Sequence, residues 1–306
     1  MAKACEVADG IIELETEWGK HGRTTTAYLV VDEETALIET GPSAAVPGLM
    51  EAMRLVKQDP ATISYVVPTH IHLDHGGGAG FMSEKVPSAK VVVHQSGARH
   101  LLDTARLIAS TRLSFGDNFH EEYGPILSLP AERLMVVQGG ETISLGHREL
   151  SIIHTPGHAP HHIGIFDSKT RGLFCGEALG SRQPGKDIVA PSAAPPGFDL
   201  EHALESMERL KDLSPALLLY SHGGVTDHVD NLTRMIIEQT RAYGEIILTG
   251  LRAGQSKEEI AQRITQYHLG AEPSVLGQRE AYRPVERGYR LTMDGYIHYF
   301  ERNSMV

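Results

Sequence analysis

The chain is poor in cysteine and tryptophan, with two of the first and one of the second in 306 residues, and it has no run of lysine or arginine. Two thiols as far apart as Cys5 and Cys175 cannot make a disulfide framework. Cys175 lies in the apolar run Gly172–Gly176 and reads as a buried reduced thiol in a strand. A formal net charge of −11 without a basic stripe disfavours a general nucleic-acid partner. No window approaches the roughly 20 apolar residues of a membrane span, so no membrane partner is expected. The first residues carry acids where a signal peptide needs an apolar stretch, which makes the cytoplasm the expected location.

What is present in excess is histidine, 17 in all. The count alone decides nothing, but the spacing does. The apolar run Ile63–Val67 has strand length and leads into Thr69-His70-Ile71-His72-Leu73-Asp74-His75, followed by Gly76, Gly77 and Gly78. Alternate residues of an extended segment point the same way, so His70 and His72 can share one metal ion. Asp74 and His75 follow where the chain turns and can serve a neighbouring position. Three further candidates each follow a predicted strand. They are His158 after 150–155, Glu177 after 173–175 and His222 after 217–220. Strand ends are where a layered α/β fold presents its chemistry, and His nitrogen with carboxylate oxygen suits zinc and similar divalent ions.

The pattern between these ligands alternates strand with helix. Residues 26–40 form a hairpin signal around Asp32–Thr35, and 46–56 carry apolar residues at helical spacing. A helix near 80–85 precedes a strand over 90–94. Residues 97–135 read as a helical insertion able to cover a site. Strand signals resume at 135–137, 142–145, 150–155, 163–166 and 173–175. Prolines and glycines over 182–197 read as loop. Asp199 can cap a helix through Leu210, and Ser256 with Glu259 forms a capping-box pattern for 257–267. The expected organisation is an α/β domain over 1–232 and a helical C-terminal extension over 233–306.

Taken together, His70-x-His72-x-Asp74-His75 followed by His158, an acid at 177 and His222 resembles the metallo-β-lactamase superfamily over roughly residues 10–230. The resemblance implies an αββα sandwich with two divalent metal ions, zinc or iron and manganese, at one edge. It implies that His70, His72 and His158 hold the first ion, that Asp74, His75 and His222 hold the second, and that residue 177 bridges them. Thr155-Pro156-Gly157-His158 looks like the glyoxalase-II-like branch, and Leu173–Gly180 with the helical tail resembles the quinolone-signal thioesterase group. The chain departs from the family pattern by carrying Glu177 and Glu39 where Asp is usual.

A bound divalent ion lowers the pKa of its water from about 16 to near 7. The expected function is therefore hydrolysis of an ester, thioester or lactone of a small molecule by metal-activated hydroxide, with Asp74 also orienting the nucleophile. A small phosphoester hydrolase, and a regulatory protein with weak residual hydrolysis, are the alternatives. A diiron oxidoreductase of this fold usually has Glu where His72 stands. His161 and His162 read as surface or helix-start residues rather than substrate contacts, His94, Tyr220 and Arg182 stand near strand ends and are left out of the site, and a homodimer stays open.

Overall fold

The computed structural model describes residues 2–20, 22–269 and 279–306. Among these residues, β1 (Lys3–Ala8), β2 (Ile11–Trp18), β3 (Arg23–Val31), β4 (Thr35–Ile38), β5 (Ile63–Val67), β6 (Lys90–His94) and β7 (Leu134–Val137) form one sheet in that order. The first four strands pair antiparallel and β4 to β7 pair parallel. Strands β8 (Thr142–Ser144), β9 (Glu149–His154), β10 (Ile163–Asp167) and β11 (Gly172–Gly176) begin a second sheet. A short ribbon of β12 (Ser181–Arg182) and β13 (Val189–Ala190) intervenes, and β14 (Leu217–Tyr220) and β15 (Gly224–Thr226) complete the second sheet. Its order is β15-β14-β11-β10-β9-β8, with β11 and β14 the parallel pair.

The two sheets face one another through Tyr28, Val30 and Ile38 of the first and Ile152, Ile165, Phe174 and Leu219 of the second. The central strands are covered on both faces and accordingly read as continuous apolar runs rather than alternating ones. Tyr28 Oη donates to the Tyr220 carbonyl at 2.7 Å, joining the sheets where an apolar contact would leave a buried carbonyl unmet.

Helices form the outer layers. α1 (Val46–Leu55), the single turn α2 (Leu73–Gly76), α3 (Ala79–Lys85) and α4 (Gln95–Leu102) follow the first-sheet strands. Leu49, Met53, Met82 and Leu101 pack on that sheet's outer face. α5 (Ala105–Phe115) and α6 (Phe119–Tyr123) build a small separate core of Trp18, Leu73, Phe119 and Tyr123 with Leu107 and Ile108. α7 (Leu200–Asp212) and α8 (Val229–Arg252) cover the second sheet. The Asp199 carboxylate accepts the His202 N–H at 3.1 Å, which caps α7 as its sequence predicts.

α9 (Lys257–Leu269) and α10 (Arg279–Arg302) pack with the second half of α8 around Tyr243, Ile247, Tyr296 and Phe300. The expected capping box is present, with Ser256 N–H donating to Glu259 at 2.7 Å and Glu259 N–H to Ser256 Oγ at 3.3 Å. The boundary drawn at 232/233 falls inside α8, because Leu232 and Ile236 pack on the second sheet while Tyr243 and Ile247 pack on the C-terminal helices. The stretch read as loop over 182–197 contains β13, whose two residues are too few to leave a periodic signal. The fold is an αββα sandwich with a helical C-terminal region, and none of the described helices is long and apolar enough to cross a membrane.

Candidate metal centre

All seven predicted ligands converge at one edge of the sandwich. They form two groups of donor atoms, His70, His72, His158 with Glu177, and Asp74, His75 with His222. β5 ends at Val67 and delivers His70. His72 sits at the N-cap of α2, which carries Asp74 and His75. His158 follows β9, Glu177 follows β11 and His222 follows β14. Gly176 makes the turn into Glu177 possible with φ +54°, since a Cβ there would lie 2.5 Å from His162 Nε2 and 2.7 Å from Thr69 Oγ1.

The imidazoles are aimed by what they donate to. His158 Nδ1 lies 3.1 Å from the Ser192 carbonyl and His222 Nδ1 lies 3.1 Å from the Thr24 carbonyl. A carbonyl only accepts, so each Nδ1 carries the proton and each Nε2 presents a lone pair to the site. Thr69 hydroxyl donates to Glu39 at 2.6 Å, which leaves its oxygen to accept from His70 Nδ1 at 3.0 Å. His75 Nδ1 donates to Glu39 at 3.0 Å. Glu39 is wholly buried, accepts additionally from Ser221 hydroxyl at 2.6 Å and from Thr69 N–H at 3.1 Å, and stands at φ +66°.

In the first group, His72 Nδ1 is 3.0 Å from His70 Nε2 and 2.9 Å from His158 Nε2. Lone pairs so close repel unless a cation stands between them. Bonds of 2.0–2.1 Å in a tetrahedron put donor nitrogens about 3.3 Å apart, close to this spacing. Glu177 Oε2 lies 3.0 Å from His158 Nε2 and 3.5 Å from His70 Nε2 on one side, and 3.2 Å from His75 Nε2 on the other. Its second oxygen accepts from Ser181 hydroxyl at 3.2 Å and from Ser192 hydroxyl, which fixes the longer side chain. His222 Nε2 and His75 Nε2 approach the Asp74 oxygens at 3.6 and 3.9 Å.

The electrostatics ask for positive charge. Burial pushes His72 down to about 3 and, with the neighbouring rings, lowers His70 far below its ordinary value, so both are neutral. Burial would raise the Asp74 and Glu177 carboxyls, but the facing histidines outweigh it and hold both ionised. Burial also opposes charge on His75, yet Glu39 and Asp74 draw a proton onto it. Even so, His75 Nε2 has no well-formed hydrogen bond. Neutral nitrogens in the first group, two ionised carboxylates and a pull toward positive charge at His75 and His222 fit divalent cations, which would stand in place of a proton on each Nε2.

Two histidines read as surface or helix-start residues are neither. His162 is fully buried, with Nε2 accepting the Glu177 N–H at 3.1 Å and Nδ1 paired to Thr155 hydroxyl at 2.7 Å. His161 stacks on His70 with ring centroids 6.2 Å apart. The run His158-Ala-Pro-His-His has no periodicity from which burial could be read. His94 stacks on His154 at 3.9 Å and caps α4, so it is structural. Tyr220 is buried in the core under α8. Arg182 donates to the Gly223 carbonyl at 2.6 Å.

A cavity of about 220 Å³ opens over His72, Asp74, His158 and Glu177. Arg23 and Tyr123 form one side, Leu107 and Thr111 of α5 a second, Ala193–Pro196 a third and Leu291 with Thr292 of α10 a fourth. No motif or spacing marks Arg23, Ser192 or α10 as part of the site. Each comes from a distant part of the chain, and only the packing of β3, the 191–197 segment and the C-terminal helices brings them together.

Residues 22–222 match the family model described as the metallo-β-lactamase superfamily. A metallo-β-lactamase fold-containing protein of Sulfurisphaera tokodaii is 29% identical over 206 residues, 65% of this chain and 73% of that protein. An acyl-coenzyme A thioesterase of Homo sapiens is 26% identical over 199 residues, 56% of this chain and 64% of that protein. Among solved structures, a metallo-β-lactamase family protein of Thermus thermophilus superposes with a TM-score of 0.70 at 21% identity, over 98% of this chain and 95% of that one. That last likeness speaks to the fold and extends it through the C-terminal helices.

Proposed function

Because this chain belongs to the metallo-β-lactamase superfamily, we propose that it is a hydrolase of small-molecule esters, thioesters or lactones dependent on two divalent ions. His70, His72 and His158 would hold one ion, Asp74, His75 and His222 the other, and Glu177 would bridge them. The observation that carries this reading is Glu177 Oε2, 3.0 Å from His158 Nε2 and 3.2 Å from His75 Nε2, so that one carboxylate oxygen serves both groups. The methylene that Glu has beyond Asp is accommodated by the two serines on its other oxygen.

When bound, such ions acidify a water and polarise a carbonyl. The chain's own groups do the rest. Asp74 is partly exposed to the cavity and ionised, so it can orient a nucleophile and accept its proton. Glu39 fixes the ring of His75 and thereby the direction of its Nε2. The walls from α5, Ala193–Pro196 and α10 narrow the approach to a small substrate. The acyl-thioester specificity named for the human relative makes thioesters the first substrates to try.

Elemental analysis of protein purified without chelator tests the metal assignment, with two divalent ions per chain expected. A panel of thioester, carboxylate ester, lactone and phosphodiester substrates tests the reaction. One ion or none would overturn the bridged centre, and turnover confined to phosphodiesters would move the assignment to that class.

A further inference from the structure

We propose that Arg23 determines specificity, reading a carboxylate on the substrate from the side of the cavity next to Asp74. This rests on the hydrolase reading. Among the described residues, and setting the candidate ligands aside, Arg23 is the one formally charged residue lining the cavity, whose other walls are apolar or hydroxyl-bearing. Among the described residues no carboxylate lies within ion-pair distance of it. Arg23 is an exposed residue at the rim of this cavity, where a cation in a chain of net charge −11 is open to an anionic group of the substrate.

The guanidinium is also held in place. One of its nitrogens donates to Tyr123 Oη at 3.0 Å, and its carbon stands 5.6 Å from the Trp18 ring and 5.9 Å from the Tyr123 ring. Those two rings pack against each other at 5.1 Å. Stacking leaves the edge of a guanidinium open for two parallel hydrogen bonds, the geometry a carboxylate accepts. The same strand start serves the second ligand group. The Thr24 carbonyl receives His222 Nδ1, and Thr25 hydroxyl donates to the Asp74 carbonyl at 2.9 Å. Arg23 is thereby tied to the side of the cavity where Asp74 lies. An acyl chain against Leu107 and Leu291, with its far carboxylate on Arg23, uses the walls as they stand.

Trp18 gives a readout independent of turnover. It is the only tryptophan, is buried, and donates through Nε1 to Thr25 Oγ1 at 3.1 Å. The test uses the full-length, metal-replete protein and two esters of similar size, mono-(4-nitrophenyl) glutarate and 4-nitrophenyl pentanoate. Arg23→Gln is expected to raise KM for the glutarate ester by about tenfold or more, with kcat little changed, because a charge-assisted pair is lost. The pentanoate ester should be unaffected, and Arg23→Lys should keep part of the preference. Glutarate should shift Trp18 emission saturably in the parent and not in Arg23→Gln, whereas glutaramide should not shift it in either. If both esters are hydrolysed alike before and after the substitution, Arg23 has no such role and the hydrolase reading stands. If neither ester is hydrolysed, the emission titration decides: a glutarate response lost in Arg23→Gln upholds the carboxylate site, and no response overturns it.

Discussion

The sandwich buries a polar cluster at each of its two ends, and the two are built on opposite rules. At the end away from the cavity, Arg148 and Asp167 are both fully buried and pair at 3.1 Å. Arg148 also donates to the carbonyls of Asp9 and Gly10, and Asp167 accepts from Thr170 N–H at 2.9 Å. Charge meets opposite charge within the chain, with Arg148 Nε and Asp167 Oδ1 in contact as an ion pair rather than as a well-formed hydrogen bond. At the cavity end, the inward-facing atoms of His70, His158, His222 and Glu177 are acceptors, and the protons of the three rings point outward to carbonyl and hydroxyl oxygens. A closed cluster needs nothing further and acts as structure. An open cluster of convergent lone pairs leaves a place for a cation, and keeping those lone pairs buried costs the apo fold stability.

Substitution separates the two rules. His72→Ala and Asp74→Ala should each lower turnover by about a thousandfold or more, within or beyond what one general-base or ligand group supplies. Thermal unfolding of the metal-free protein should be nearly unmoved or raised in His72→Ala, where repelling lone pairs are removed, and lowered in Asp74→Ala, where the attraction to His75 and His222 is lost. Full activity in either variant would break the assignment of the open cluster. Arg148→Ala should do the reverse. It leaves Asp167 ionised and unpaired in the core, a loss of about 3–5 kcal/mol in denaturant unfolding with metal content per folded chain unchanged. A cost below about 1 kcal/mol would show that the far cluster is not closed in the way described.

Glu39→Gln sharpens the contrast, because Glu39 belongs to both kinds. It is satisfied by Thr69, Ser221 and His75, and it supports the open cluster directly through His75 and indirectly, by way of the Thr69 hydroxyl, through His70. The amide would set an NH2 against the Thr69 N–H or the His75 Nδ1–H. Affinity for the ion that His75 would hold should fall by about 10–100-fold in metal titration, and more than affinity for the ion that His70 would hold. Equal loss of both would mean that Glu39 acts on the fold rather than on one ring.

What the sequence made legible follows the same division. Ligands that sit on one extended segment, His70 to His75, or directly past an apolar strand, as His158, Glu177 and His222 do, carry their geometry in local spacing. The strands over 63–67, 90–94 and 217–220 were readable because buried parallel strands are short, apolar and sharply bounded. The closing contacts were not. Ser192 on Glu177, Thr24 on His222 and α10 at the cavity are meetings of residues far apart in the chain, and no period or spacing records them. His162 was misjudged for the same reason, since its burial comes from β11 turning at Gly176 rather than from its own neighbours.

The 24 residues of α8 run from the cover of the second sheet, at Leu232 and Ile236, to the centre of the C-terminal helices, at Tyr243 and Ile247. The fourth wall of the cavity is therefore hung on a beam whose other end is set into the sandwich. There is no seam along which that wall can be traded for another as a cassette. Drift in substrate choice is channelled instead to α5, whose cavity-facing Leu107, Ser110 and Thr111 lie outside that shared span.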